Sequence, residues 1–162
     1  MKRKIAIVGA GALGGHVGGY LAKAGQDVTL IDPWPEHVEA MRRDGLTLRG
    51  QTAPENFTVP VNAIHITDLQ KAGSERPFDI AFVSMKSYDT VWATQMIAQY
   101  LTADGYVVSL QNSINEERIA SVGRDISMKL THVETQRFID NITSITPGGL
   151  KGGLMAVDRR PM

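Results

Sequence analysis

Lys4-Ile5-Ala6-Ile7-Val8-Gly9-Ala10-Gly11-Ala12-Leu13-Gly14 is the stretch whose reading decides the fold. Lys4 to Val8 is β-branched or apolar with little alternation, the pattern of a strand buried on both faces of a parallel sheet. From Ala12 to Ala24 the periodicity changes: Leu13, Val17, Tyr20 and Leu21 recur at helical spacing, and Gly25 supplies a helix stop. Between strand and helix lies a G-x-G-x-x-G string. Gly9 permits a tight turn, Gly11 removes a side chain that would block a pyrophosphate, and Gly14 lets the helix pack closely on the strand. The helix start at Ala12 and Leu13 offers free N–H groups to an anion. Such glycine strings also occur as plain tight βα connections, so the surrounding pattern has to decide between the two.

Outward from this unit the β-α alternation continues. Val28 to Ile31 reads as a second strand ending at Asp32, and Pro35 suits the first turn of a helix running to about Arg43. Asp32 stands about 20 positions beyond the glycine turn, where a carboxylate accepts hydrogen bonds from the adenosine ribose of a dinucleotide. A carboxylate there repels the 2′-phosphate of NADP and so favours NAD. The alternative is that Asp32 only caps the helix entered through Pro33-Trp34-Pro35. Leu46 to Arg49 and Phe57 to Val61 read as a hairpin or two short strands, separated by Gly50 and Pro54. Asp79 to Ser84 is another buried strand, Thr90 to Leu101 a helix with Val91, Met96, Ile97 and Leu101 inward, and Tyr106 to Leu110 a further strand; Glu116 to Val122 reads as a short helix. The expected fold is α/β, a Rossmann-type open, mostly parallel sheet with helices on both faces, its ligand at the carboxyl ends of the strands.

Two polar clusters stand at such ends: Ser84-Met85-Lys86-Ser87 and Gln111-Asn112-Ser113-Ile114-Asn115-Glu116. Lys86 can reach a phosphate or ribose and Asn112 a carboxamide or substrate oxygen; a solvated lysine and a capping asparagine are the plainer readings. His16, His37, His65 and His132 lack metal spacing and are read as structural or surface residues, with only His16, in the phosphate helix, near a ligand. No catalytic or metal-binding residue is assigned.

Seventeen Lys and Arg balance seventeen Asp and Glu, which gives no reason to expect nucleic acid or an anionic membrane as partner. The absence of cysteine excludes disulfides, thiolate nucleophiles and cysteine-ligated metal centres. The basic Met1-Lys2-Arg3-Lys4 is followed by an apolar run that soon breaks into glycines and His16. A cytoplasmic protein without signal or membrane span is expected.

Gly9 to Gly15, Val28-Thr29-Leu30-Ile31-Asp32, Asp44-Gly45-Leu46-Thr47-Leu48-Arg49-Gly50, Val83-Ser84-Met85-Lys86 and Leu110-Gln111-Asn112-Ser113-Ile114-Asn115-Glu116 together resemble the ketopantoate reductase (2-dehydropantoate 2-reductase) family. The blocks follow the family's order between Met1 and Gly123. The resemblance implies an oxidoreductase that uses NADPH to reduce a 2-oxo acid, typically ketopantoate to pantoate, in pantothenate biosynthesis. It places Lys86 beside the cofactor and Asn112 near the nicotinamide and substrate. There are two departures: Asp32-Pro33 stands where NADP-using relatives often carry arginine, so NAD is a live alternative, and Asn112-Ser113 replaces the usual Asn-Gly.

The family's catalytic lysine and glutamate lie on a helical second domain that 162 residues do not reach. The expected organisation is a dinucleotide-binding domain over 1–124 and an atypical tail over 125–162. Ile126, Leu130, Val133, Phe138 and Ile142 permit an amphipathic helix in that tail, whereas Pro147-Gly148-Gly149 and Gly152-Gly153 argue for a loop; truncation or a shifted reading frame would account for the departure. Such a chain binds a nicotinamide dinucleotide, NAD or NADP, and turns over a 2-oxo acid only when a partner chain supplies the missing domain. Its uncovered apolar surface favours a homo-oligomer. The alternative from another class is a non-catalytic dinucleotide-binding or redox-sensing module.

Overall fold

A computed structural model describes residues 2–50, 53–111, 115–122 and 155–156. The elements follow as β1 (Lys4–Val8), α1 (Ala12–Lys23), β2 (Asp27–Asp32), α2 (Pro35–Asp44), β3 (Leu46–Leu48), β4 (Phe57–Val59), β5 (Asn62–His65), α3 (Leu69–Glu75), β6 (Phe78–Val83), α4 (Thr90–Ala98), β7 (Leu101–Ser109), α5 (Glu116–Val122) and β8 (Met155–Ala156). Short 3-10 turns precede β4, α3 and α4. No helix among the described residues is long and apolar enough to cross a membrane.

The main sheet has the order β5-β2-β1-β6-β7-β8. The first five strands are parallel, and β8 pairs antiparallel with the end of β7, Ser109 opposite Met155. The chain runs from β1 through β2 to β5 in one direction, then returns to lay β6 and β7 on the other side of β1. Strand order therefore reverses between β1 and β6, and the crevice beyond their carboxyl ends is where such sheets take a ligand. This is the open parallel sheet expected from the alternation of strands and helices.

Both faces are covered, which is why the strands read as continuous apolar runs. Ile5 and Ile7 of β1, Leu30 of β2, Phe82 of β6 and Val108 of β7 pack under Val17 and Leu21 of α1 and Val38 and Met41 of α2. On the opposite face Ala6, Val8, Ile31, Val83 and Val107 meet Leu69 of α3, Ala93 and Ile97 of α4 and Ile119 of α5. β3 and β4 form a separate antiparallel pair, Leu46 opposite Val59 and Leu48 opposite Phe57, as the hairpin reading expects. It lies against α1, where a Cβ on Gly19 would come within 2.8 Å of Leu48 and 3.2 Å of Leu46, so the bare helix face admits the hairpin.

Two inward assignments in α4 are corrected. The helix ends at Ala98, and Leu101 opens β7. Val91 is 41% exposed, while Thr94 and Ala98 take the buried positions beside Ala93 and Ile97. The sequence reading also passed over β5 and α3. Apart from β8, the segment 125–162 lies outside the described residues.

Candidate functional site

Four strand ends meet at the crevice. β1 runs into Gly9, whose φ of 96° turns the chain out of the sheet, and its N–H is held by the Ile31 carbonyl of β2 at 2.8 Å. Gly14, one turn into α1, lies against this corner: a Cβ there would collide with the Gly9 carbonyl oxygen and Ser84 Oγ. Ser84, at the end of β6, fastens the junction by donating to the carbonyls of Gly9 at 2.6 Å and Val8 at 3.0 Å. Gly11, the N-cap of α1, has an ordinary φ of −67° and is exposed. Ala12 and Leu13, also exposed, begin the helix, so the amides of this turn face the cleft without intrahelical acceptors.

Asp32, at the end of β2, is buried and engages both carboxylate oxygens. Oδ2 accepts from the Ala10 amide at 2.8 Å and Oδ1 from the Trp34 amide at 2.9 Å. The Ala10 carbonyl in turn accepts from His37 Nε2 at 3.0 Å. One residue of the glycine loop, Ala10, is thus gripped at its N–H by β2 and at its C=O by α2. The N-cap of α2 is Trp34, with no side-chain cap, so Asp32 does not cap the helix as the alternative expects. It bonds the Trp34 amide ahead of the helix and lines the cleft.

On the far side of the switch point, Gln111 is a buried hub. Its Nε2 donates to the carbonyls of Met85 at 2.8 Å and Lys86 at 3.2 Å, and its Oε1 accepts from Thr90 Oγ1 at 3.0 Å. This latch fixes the loop after β6 to the end of β7. It leaves Lys86 exposed, its side chain lining the cleft.

The space enclosed falls into two neighbouring cavities. The larger, about 620 Å³, runs from Gly9, Gly11 and Leu13 past Asp32 to Ser84, Lys86 and Gln111. The second, about 360 Å³, shares Gly11, Ala12, Asp32 and Trp34 with it and continues to His16, His37, Leu46 and Leu48. The structure brings Gly9, Gly11, Ala12, Leu13, Asp32 and Lys86 together around one opening; Gly14 packs behind it. Asn112 lies outside the described residues.

Among the histidines, His16 lines the second cavity as expected, but His37 shares it, because the first turn of α2 sits over the end of β2. Ser84, Gln111, His37 and Trp34 are the residues to which the sequence reading assigned no role at the site. Ser84 and Gln111, polar side chains at the ends of apolar strands, carried a signal of their own. No group of three or more potential metal ligands occurs among the described residues.

The Asp32 geometry has a measurable consequence in the absence of any ligand. Asp32→Ala strands two backbone N–H groups, one of them in the buried Ala10 peptide, and is expected to cost about 1–3 kcal/mol in denaturant unfolding. Asp32→Asn, which keeps one acceptor oxygen, should recover part of that loss.

Residues 5–126 match the family model for ketopantoate reductase PanE/ApbA. A 2-dehydropantoate 2-reductase from Pyrococcus horikoshii is 40% identical over 121 residues, covering 74% of this chain and 36% of that protein. Among solved structures, a PanE/ApbA family ketopantoate reductase from Ralstonia eutropha superposes with a TM-score of 0.62 at 34% identity, covering 73% of this chain and 37% of that one. The ternary structure of D-mandelate dehydrogenase with NADH and anilino(oxo)acetate gives a TM-score of 0.62 at 30% identity, over 73% of this chain and 36% of that one. The chain therefore spans little more than a third of the length of these relatives. Sheet order, glycine corner and family match agree: the chain belongs to the ketopantoate reductase PanE/ApbA family.

Proposed function

We propose that the chain is the cofactor-binding part of an oxidoreductase that reduces a 2-oxo acid such as 2-dehydropantoate. In this reading it holds a nicotinamide dinucleotide across the switch point. The pyrophosphate lies over Gly11, Ala12 and Leu13, the adenosine ribose at Asp32, and the nicotinamide toward Lys86 and Asn112. A bound reduced nicotinamide supplies a hydride to a carbonyl carbon; the protein supplies position and electrostatics.

The observation that carries this reading is Gly11. Gly9 and Gly14 are required by the fold itself, one for its positive φ and the other for the close approach of helix to strand. At Gly11 the backbone is ordinary and a Cβ would meet no atom of the described residues within 4 Å. No atom of the described residues crowds that position, and glycine carries an entropic cost on folding. The space left clear stands in front of helix-start amides that have no intrahelical acceptor, as a phosphate requires. The NADH in the related D-mandelate dehydrogenase structure supports the class of ligand.

Asp32 argues for NAD over NADP. Its two oxygens are spent on backbone amides, but each retains a lone-pair direction for a ribose hydroxyl. A 2′-phosphate at the same place would set two anions side by side, a juxtaposition that costs several kcal/mol.

Gly11→Val is expected to melt with the wild-type chain yet bind NADH at least about ten-fold more weakly by calorimetry, one tenfold step being about 1.4 kcal/mol. Equal affinity would remove the basis of the reading. In the same titrations NADH should bind at least ten-fold more tightly than NADPH, roughly the 1.4 kcal/mol step again, and Asp32→Ala should narrow the gap. Lys86 is the one cationic side chain among the described residues lining the larger cavity. With 2-dehydropantoate and NADH or NADPH, the 162-residue chain alone should therefore turn over far below an ordinary enzymatic rate of about 10 s⁻¹, followed by cofactor absorbance.

A further inference from the structure

We infer that Asp89 sets which oxidation state of the dinucleotide this chain prefers: its carboxylate favours the cationic ring of NAD⁺ over the neutral ring of NADH. The inference rests on the dinucleotide reading above and concerns only its nicotinamide end.

Asp89 stands at the N-cap of α4, a position where aspartate ordinarily accepts a hydrogen bond from an amide of the first helical turn. Here the side chain makes no such bond. Oδ1 accepts instead from the indole N–H of Trp92 at 2.7 Å, and Oδ2 takes no hydrogen bond among the described residues. The carboxylate is thus withheld from the helix start and oriented by a half-buried ring three residues on.

The turn before α4 puts this charge at the cleft. The Asp89 amide closes it by donating to the Lys86 carbonyl at 2.8 Å, and Gln111 bonds the same carbonyl from beyond β7. Asp89 and Lys86 both line the larger cavity, and with Asp32 they are its charged residues among those described. Asp32 belongs to the end of β2, across the glycine corner, which leaves the other two as the charges beyond β6. They are not paired with each other; the ion pairs among the described residues lie at Arg42, Arg43 and Arg76. Arg118 of α5 bonds the Ser87 carbonyl at 3.1 Å and is not a lining residue of the cavity.

The two forms of the cofactor differ in charge at one place, the nicotinamide ring, while their phosphates and riboses are the same. A fixed charge near that ring therefore separates the two forms, and one at the adenosine end does not. Lys86 and Asp89 pull in opposite senses. Lys86 is exposed, with a strongly hydrated head on a flexible stem, so water and salt screen it. Asp89 is half-buried, short and held by Trp92, so its attraction persists. Tighter binding of the oxidised form makes hydride donation from the reduced form more favourable, because the binding difference adds to the free energy of transfer. Positive charge that develops on the ring as hydride leaves meets a carboxylate already in place.

The test titrates the full chain by calorimetry with NAD⁺, NADH and ADP-ribose, which lacks the nicotinamide. Asp89→Asn removes the charge and keeps an acceptor for Trp92. It should lower the ratio of NAD⁺ to NADH affinity by about five-fold, the size of one close charge–charge contact in water, and leave ADP-ribose unchanged. Asp89→Glu should keep most of the wild-type ratio. Asp89→Ser, uncharged and favoured at an N-cap, should lower the ratio as the amide does even where the amide disturbs the turn. An unaltered ratio in both neutral variants overturns the inference, as does ADP-ribose weakened as much as NAD⁺, the mark of a merely structural role. Wild-type binding of NAD⁺ or NADH keeps the dinucleotide reading standing in either case. A wild-type chain that binds none of the three probes overturns that reading itself.

Discussion

The approach of α1 to the corner between β1 and β6 is the constraint on which the rest depends. Only a residue without a side chain at position 14 lets the helix come down on the Gly9 carbonyl and Ser84 hydroxyl. That proximity directs the amides of the first turn into the crevice and sets Gly11 at its rim. A helix held a methyl group further out would tilt its start away from the sheet and separate the glycine loop from Asp32. The bonds from Ser84 to two carbonyls of the β1 end then lock the arrangement from the neighbouring strand.

The parallel sheet and its glycine corner were legible because their signals are local. Ile5–Val8 and Ile80–Val83 are buried on both faces and therefore apolar throughout, and G-x-G-x-x-G between strand and helix has few physical uses. β5 was hidden by its ends: Asn62 hydrogen-bonds Thr29, and His65 bonds Pro33 and Thr67, so polar residues satisfied by tertiary partners interrupt the apolar signal. In α4, Val91, Trp92, Ala93, Met96, Ile97 and Ala98 leave little polar contrast around the helix. Periodicity alone could not choose its inward stripe, and Val91 was misplaced. The break after Ala98 is a tertiary effect, since Tyr100 and Leu101 are drawn into the sheet edge beside Phe78.

At the site, residues announced by spacing were found gathered, while those that hold them were not announced. The glycines and Asp32 follow from a fixed interval along the chain. The grip of His37 on the Ala10 carbonyl joins residues 27 positions apart, and the Gln111 latch spans 26 and 25 positions to Met85 and Lys86. Trp34 reads as part of a helix entry in sequence, and the structure places it at the wall of both cavities.

In the proposed reading, the double engagement of Asp32 ties cofactor preference to architecture. Exchange of this acid for a residue welcoming to phosphate removes at the same time the acceptors for two amides that shape the loop. An evolutionary path from one nicotinamide cofactor to the other therefore passes through a less stable intermediate, unless a second change supplies a new acceptor first. Order of mutation matters on such a path, and a lineage that begins with this acid is buffered against drifting away from it.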